Sequence, residues 1–305
     1  MFLDGFLINL ELLTAHPFAV FLVLGVLITG SRINPTIQFV VRAFISLIFI
    51  IAFSVYGIIT AIFFTLIGNR GLINWATARS YAYIAGSAVG ISYKVEGEEH
   101  MLTGKPSIYV CNHQSMADLF VLGRIFPKDC VIVGKAELKY IPFLNIYMIL
   151  GNSIFLDRKN RDSSVQALIK AADDVKERKT SVFIFPEGTR SRLKEAELLP
   201  FKKGAFYLAV QAGIPIVPIV VANYSDIYNS SRRIFCGGEL HMKVLPPIET
   251  TNIDINDKEQ INALTDKTRE IMLKTLREIT SEHKARPLNN KTSNGNTKLD
   301  NQKSS

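Results

Sequence analysis

The chain has 305 residues, 48% hydrophobic and 20% charged, with a mean hydropathy of +0.19; soluble domains carry about a quarter charged residues, so this balance points to membrane contact. Its 35 Lys and Arg against 27 Asp and Glu leave a net charge of +8, which suits anionic partners such as phosphorylated lipids, coenzymes or an anionic membrane surface. Three scattered cysteines, Cys111, Cys130 and Cys236, with no CxxC pair, exclude a disulfide scaffold and a zinc finger, and the aliphatic content excludes general disorder.

In chain order, the first apolar stretch is Leu12 to Gly30, interrupted by His16 and Pro17. It reads as a second span, an interfacial helix or a signal-peptide core. Its poor small-residue cleavage signature favours an anchored hairpin over a cleaved leader. Ala43 to Asn69 follows, 27 residues without a formal charge, enough to cross a bilayer with tilt. Arg32 and Arg42 precede it while Arg70, Arg79 and Lys94 come after, so the positive-inside rule assigns no orientation. Leu72 to Ile91 mixes Trp75, Tyr81 and Tyr83 with Arg79, a pattern that predicts a helix at headgroup level.

After Gly97 short apolar runs alternate with helical patterns. Strands are predicted at Ser107–Cys111, Val131–Val133, Ile154–Leu156, Val182–Phe185 and Ile216–Val221, with a helix over Asp162–Lys179. This alternation predicts an α/β domain with a mainly parallel sheet flanked by helices, preceded by the N-terminal membrane helices. Ile141 to Gly151 is uncharged but too short to span, and reads either as a lip dipping into lipid or as core. From Ser281 the chain is polar, so a disordered basic tail is expected. The organisation expected is an anchor over 1–70, an interfacial segment over 71–96, a catalytic domain over 97–280 and a tail over 281–305.

Two blocks carry candidate chemistry. Asn112-His113-Gln114-Ser115-Met116-Ala117-Asp118 directly follows a predicted strand, where catalytic groups of open α/β sheets collect. On one continuous helix His113 and Asp118 would lie roughly 140° apart. They meet only if His113 sits in the turn and Asp118 in the first helical turn, with Ser115-x-x-Asp118 as a capping box. A carboxylate on His113 Nδ1 would leave Nε2 to take a proton; the alternative is a capped helix with a turn histidine. Phe185-Pro186-Glu187-Gly188-Thr189-Arg190-Ser191 also follows a strand, and reads as a phosphate-holding turn or an ordinary turn with a surface arginine. Lys135, Arg158 and Lys202-Lys203 recur beside strand ends.

The ordered set Asn112–Asp118, Gly151–Arg158 (GNSIFLDR), Phe185–Ser191 (FPEGTRS) and Ile216–Val220 (IVPIV) resembles the four blocks of the glycerolipid acyltransferase family. The resemblance is nearest to the fungal 1-acyl-sn-glycerol-3-phosphate acyltransferases. Leu122–Pro127 (LGRIFP), Leu138–Leu144 (LKYIPFL) and Leu199–Phe206 (LPFKKGAF) add to that nearer match. It implies that His113 is the general base and Asp118 its orienter, with Arg158, Glu187, Gly188, Thr189 and Arg190, and Lys135 beside them, at the acceptor phosphate. Pro218 falls in the fourth, structural or acyl-related block. The resemblance further implies acyl-CoA as co-substrate without a cofactor or metal, lysophosphatidic acid as acceptor, the lipid bilayer as partner, no nucleic acid, and an endoplasmic reticulum location. Amides at the start of the Ser115 helix are candidates for oxyanion stabilisation.

Three rival readings stay open at this level. One is acylation of glycerol-3-phosphate or another lysophospholipid. The second is a thiol hydrolase using Cys111, two residues before His113 and on the same face by strand alternation. The third is a non-catalytic tether for anionic lipid.

Overall fold

The protein, seen in a computed structural model, is described over residues 34–101, 104–157 and 161–285, excepting the side chains of 161–166, 169 and 170. The stretch Leu12 to Gly30, Arg158 and the residues from 286 onward lie outside the described residues.

Asn34 and Pro35 start helix α1 (Pro35–Leu66). The Asn34 side chain accepts the Thr36 N–H at 2.8 Å, and proline brings a helical φ to the first position. At 32 residues α1 is long and apolar enough to cross a membrane. Its two faces differ. Phe44, Leu47, Ile51, Ile62 and Leu66 are exposed, whereas Phe39, Phe49 and Phe53 pack on the domain core. Toward the C-terminal half Ser54, Gly57, Thr60 and Ala61 are buried. Small residues there allow close approach: a Cβ on Gly57 would lie 2.5 Å from the Tyr147 ring.

Helix α2 (Leu72–Ala88) packs against α1, with the Thr60 and Thr77 hydroxyls 2.9 Å apart. The stretch expected at headgroup level is also a core element, because Ile73, Tyr81, Ala82 and Ala85 are buried. Only part of its aromatic set faces outward; Tyr83 is exposed.

A seven-stranded sheet follows, in the order β1-β9-β6-β2-β5-β3-β4. Its members are β1 (Ile91–Glu96), β2 (Ile108–Cys111), β3 (Cys130–Lys135), β4 (Ile154–Leu156), β5 (Ser181–Ile184), β6 (Ile216–Val221) and β9 (Gly238–Val244). Every pairing is parallel except β6 with β9. The small strands β7 (Tyr228–Asn229) and β8 (Ile234–Phe235) form a separate hairpin. The expected mainly parallel α/β sheet is therefore present, and the flanking β1 and β9 were not anticipated. Pro218 sits in β6 between the Ile216–Ile248 bridge and the β9 ladder that begins at Ile219, where no N–H is required toward β9.

Alternation along the central strand divides the core. Tyr109 and Cys111 face a cluster with α2 and α3 (Asp118–Ile125). Ile108 and Val110 face a second cluster with α5 (Arg161–Arg178), α6 (Gly204–Ala212) and α7 (Lys258–Ala285). Helices thus cover both faces of the sheet. On the first face α2 and α3 cross so closely that a Cβ on Gly123 would meet the Ala78 carbonyl oxygen at 2.5 Å. Helix α7 runs through Ser281 to Ala285, into the stretch read from composition as tail, with Thr280 buried.

The uncharged Ile141 to Gly151 run is a turn into helix α4 (Leu144–Leu150), which packs on α1. Met148 is its buried residue, while Tyr140, Ile141, Phe143, Ile146 and Ile149 are exposed. They extend the exposed apolar side that α1 presents. Phe143 has φ +63°, a left-handed backbone unusual for an aromatic residue, just before α4 begins.

Candidate active site

The C-terminal ends of β5, β2 and β6 lie side by side, and the segments leaving them build one site. Asn112, just after β2, is clamped to β6: its side chain accepts from Val221 N–H at 2.8 Å and donates to the Val221 carbonyl at 3.0 Å. Gln114 donates to the carbonyls of Val221 and Ala222, each at 3.0 Å. These anchors hold His113 in a turn before the helix, as the spacing required.

His113 Nδ1 and Asp118 Oδ2 are 2.7 Å apart. The same oxygen accepts the Gln114 N–H at 2.7 Å and the Ser115 N–H at 2.9 Å. On the other oxygen, Oδ1, the Tyr224 hydroxyl donates at 2.6 Å. A carboxylate only 2% exposed thus collects four donors, which offsets its desolvation. With that many donors aimed at it, Asp118 is an acceptor, so Nδ1 carries the hydrogen and, in the neutral imidazole, Nε2 is the nitrogen with the free lone pair. The ring is held from a further side by Phe185, stacked with centroids 4.1 Å apart.

The capping box forms in part. Asp118 reaches back to Ser115 N–H, but Ser115 Oγ accepts from Ala117 N–H at 3.0 Å and not from Asp118 N–H. The amides of Gln114, Ser115 and Ala117 are therefore committed, and the expected oxyanion role for the start of this helix does not hold for them.

Glu187 differs from its expected place. It is 2% exposed, and its oxygens accept the N–H of His113 at 2.8 Å and of Leu199 at 3.0 Å. Burial, aided by the negative Asp118, pushes its carboxyl up to about 7 against these two hydrogen bonds. A carboxylate so enclosed braces the turn carrying His113 and is not presented to a phosphate. Gly188 turns the chain at φ +68° and donates its N–H to the Phe185 carbonyl at 3.0 Å, leaving Thr189 and Arg190 exposed. The Arg190 charge lies close enough to Tyr228 to oppose the rise that burial imposes on that phenol. Lys135 stands exposed at the matching end of β3, 2.9 Å from the Glu137 carboxylate.

Cys111 is fully buried, and burial first, then Asp118 and Glu187, hold its thiol well above the ordinary range. It is a core residue, which removes the support for the thiol-hydrolase reading. Among the described residues, one group with metal-ligand spacing, Glu96, His241 and Glu282, has ligand atoms within 4.8 Å of one another. It lies on β1, β9 and α7, and Glu96 is also held by Lys94. Tyr224 was not foreseen, since it carries no motif and lies 106 residues from Asp118.

A histidine–carboxylate pair at the strand ends of a helix-flanked parallel sheet is suited to general-base chemistry, and residues 92–222 match the family described as Acyltransferase. The chain is 44% identical over 224 residues to 1-acyl-sn-glycerol-3-phosphate acyltransferase of Saccharomyces cerevisiae, covering 73% of each. It is 37% identical over 193 residues to the alpha form of that enzyme in Homo sapiens, covering 63% of this chain and 66% of the human one. The chain belongs to the 1-acyl-sn-glycerol-3-phosphate acyltransferase family. Its fold is that of the Thermotoga maritima 1-acyl-sn-glycerophosphate acyltransferase PlsC, at a TM-score of 0.65 and 24% identity, over 83% of this chain and 99% of that one.

Proposed function

We propose that this protein transfers a fatty acyl group from acyl-CoA to the sn-2 hydroxyl of lysophosphatidic acid, yielding phosphatidic acid for phospholipid and triacylglycerol synthesis. The observation that carries this reading is the 2.7 Å contact of His113 Nδ1 with the buried, fully partnered Asp118. It holds the imidazole in the tautomer whose Nε2 accepts a proton. Nε2 removes the hydroxyl proton while that oxygen attacks the thioester carbonyl. The carbon–sulfur bond then breaks, and the proton passes from the imidazolium to the departing thiolate. A positioned base supplies roughly 10²–10⁴-fold, and holding both substrates supplies more.

In this reading Arg190 and Arg158 hold the acceptor phosphate and Lys135 adds a point charge. Exposed Arg190 and Lys135 at neighbouring strand ends support it, as does the 44% identity to the yeast enzyme. The apolar helix α1 and the exposed α4 segment support a membrane location, where both acyl-bearing substrates reside. The endoplasmic reticulum is the membrane that the fungal resemblance implies.

A detergent-micelle assay with a long-chain acyl-CoA, offering lysophosphatidate, glycerol-3-phosphate and lysophosphatidylcholine in competition, tests this. Phosphatidate formed preferentially, and lost by about 10²–10⁴-fold in folded His113→Ala, is the expected result. Preference for another acceptor would move the substrate while keeping the base. An unchanged rate in His113→Ala would end the mechanism.

A further inference from the structure

The end of the sheet opposite His113 holds a cavity of about 630 Å³. Its walls come from residues that precede the strands: Lys105 before β2, Pro127 to Asp129 before β3, and Ser181 at the first position of β5. His113 and Glu187 leave the other ends of β2 and β5, so roughly 13 Å of strand separates the two places. The size falls within the range of small-molecule sites, about 300–1,000 Å³.

Charge in this cavity is one-sided. Arg79, Lys105, Arg124, Lys128, Arg178 and Lys179 line it, against Glu98 and Asp129. Two of the cations are partnered, Arg124 by Glu98 and Arg178 by Asp174 at 3.6 Å. Arg79 has no carboxylate at ion-pair distance among the described residues. Its Nη1 donates to the Arg124 carbonyl, whereas its Nε is buried without a hydrogen-bond partner. Burial, and then the like charge of Arg124, weaken its hold on its proton, against the opposing pull of the Tyr83 hydroxyl and the Glu98 charge. Arg79 and Arg124 repel each other at this wall, and an anion taken up beside both guanidinium groups would offset that repulsion. Trp75 forms an aromatic wall, with Lys128 Nζ 5.1 Å and Arg79 Cζ 5.9 Å from its ring centroid.

We propose that this cavity is a binding site for a phosphate-bearing ligand, separate from the His113 cleft. Planar guanidinium forks flanked by lysines match phosphoryl oxygens, and the Trp75 wall admits an apolar or aromatic remainder. The phosphate comes either from a lipid headgroup or from a soluble phosphate compound. The inference does not depend on which acceptor the His113 site uses.

Trp75 is the chain's single tryptophan, so its emission reports on this cavity directly. The full chain in neutral detergent is titrated with inorganic pyrophosphate in one arm and with short-chain phosphatidic acid in another, alongside a chloride salt matched in ionic strength. A saturable change in emission is expected. It should weaken about five- to tenfold in the double variant Lys105→Gln, Lys179→Gln, which alters two exposed side chains away from the Trp75 ring. Arg190→Ala at the other end should leave it unchanged. Saturation by pyrophosphate assigns a soluble ligand and saturation by phosphatidic acid alone assigns a headgroup; both support the site. No saturable change in either arm, an equal change with matched salt, or a change lost in Arg190→Ala and kept in the double variant would overturn it.

Discussion

Tyr224 donates its hydroxyl to Asp118 Oδ1 at 2.6 Å, while His113 occupies the opposite oxygen of that carboxylate at 2.7 Å. Burial and the adjacent negative charge keep the Tyr224 phenol protonated well past the ordinary range, so it stays a donor at any working pH. Tyr224 is a positioning residue, acting on the base through Asp118. Tyr224→Phe keeps the ring and removes the donor. The expected outcome is a fall in kcat of about tenfold with KM for the acceptor within twofold, since a charge-assisted hydrogen bond is worth about 1.5–3 kcal/mol. Normalising kcat to the folded fraction, read from the thermal melt, separates this from a general loss of fold, which would lower apparent kcat only through the active fraction.

Glu187 gives a pH signature. Burial pushes its carboxyl up to about 7 in the folded chain, above its ordinary value of 4.5. A raised pKa means the folded state binds more protons between those values, so this group's contribution to stability declines as pH rises from about 4.5 to about 7. The effect is a few kcal/mol at most, at about 1.4 kcal/mol per unit. Glu187→Gln should flatten that decline in denaturant melts taken across the window. An unaltered pH slope in the variant would contradict the assignment.

Gly123→Ala should destabilise the fold by about 1–3 kcal/mol, because the added methyl meets Ala78 backbone at 2.5 Å and the Ala82 Cβ at 2.5 Å. The thermal midpoint measures it, and the main effect should fall on stability, since the clash is with α2.

Cys111→Ala distinguishes acyl transfer by His113 from thiol chemistry. A fully buried cysteine of the core should give way to alanine with kcat within about twofold and a stability loss near 1 kcal/mol. Abolished turnover in a folded variant would restore the hydrolase reading.

Ile146 and Ile149 are exposed on α4, beside the open apolar side of α1. Ile146→Asp with Ile149→Asp should reduce partitioning onto phospholipid vesicles by about tenfold or more, given about 1.5–3 kcal/mol per buried side chain, while leaving the melting curve close to the parent. Vesicle flotation reads the first and calorimetry the second.

Much of this architecture is legible in local pattern. Strands β2, β4 and β6 fall within a residue of the apolar runs that announce them, because parallel strands covered on both faces read as continuous Val, Ile and Leu. Helix α1 is legible for a similar reason: an uncharged run leaves few alternatives to a helix seated in apolar surroundings. Strands β1 and β9 escape notice because Ser92, Lys94, Glu239 and Lys243 dilute their apolar residues, and their pairing joins segments 147 residues apart. The inward position of Glu187 escapes notice for a different cause. Motif order places it beside Arg190, and only the turn at Gly188 decides that one side chain points inward to two amides and the other outward to solvent.

The sequence by itself determined the helix-flanked parallel sheet, the apolar helix α1 and the spacing at which His113 and Asp118 can meet, since each depends on periodicity or spacing over a few residues. Only the tertiary structure decided that Tyr224 completes the carboxylate, that Glu187 braces the turn and that a basic cavity sits behind the sheet. Each of these joins distant segments by a directional hydrogen bond or by charge brought together in space, and such contacts leave no period in the chain.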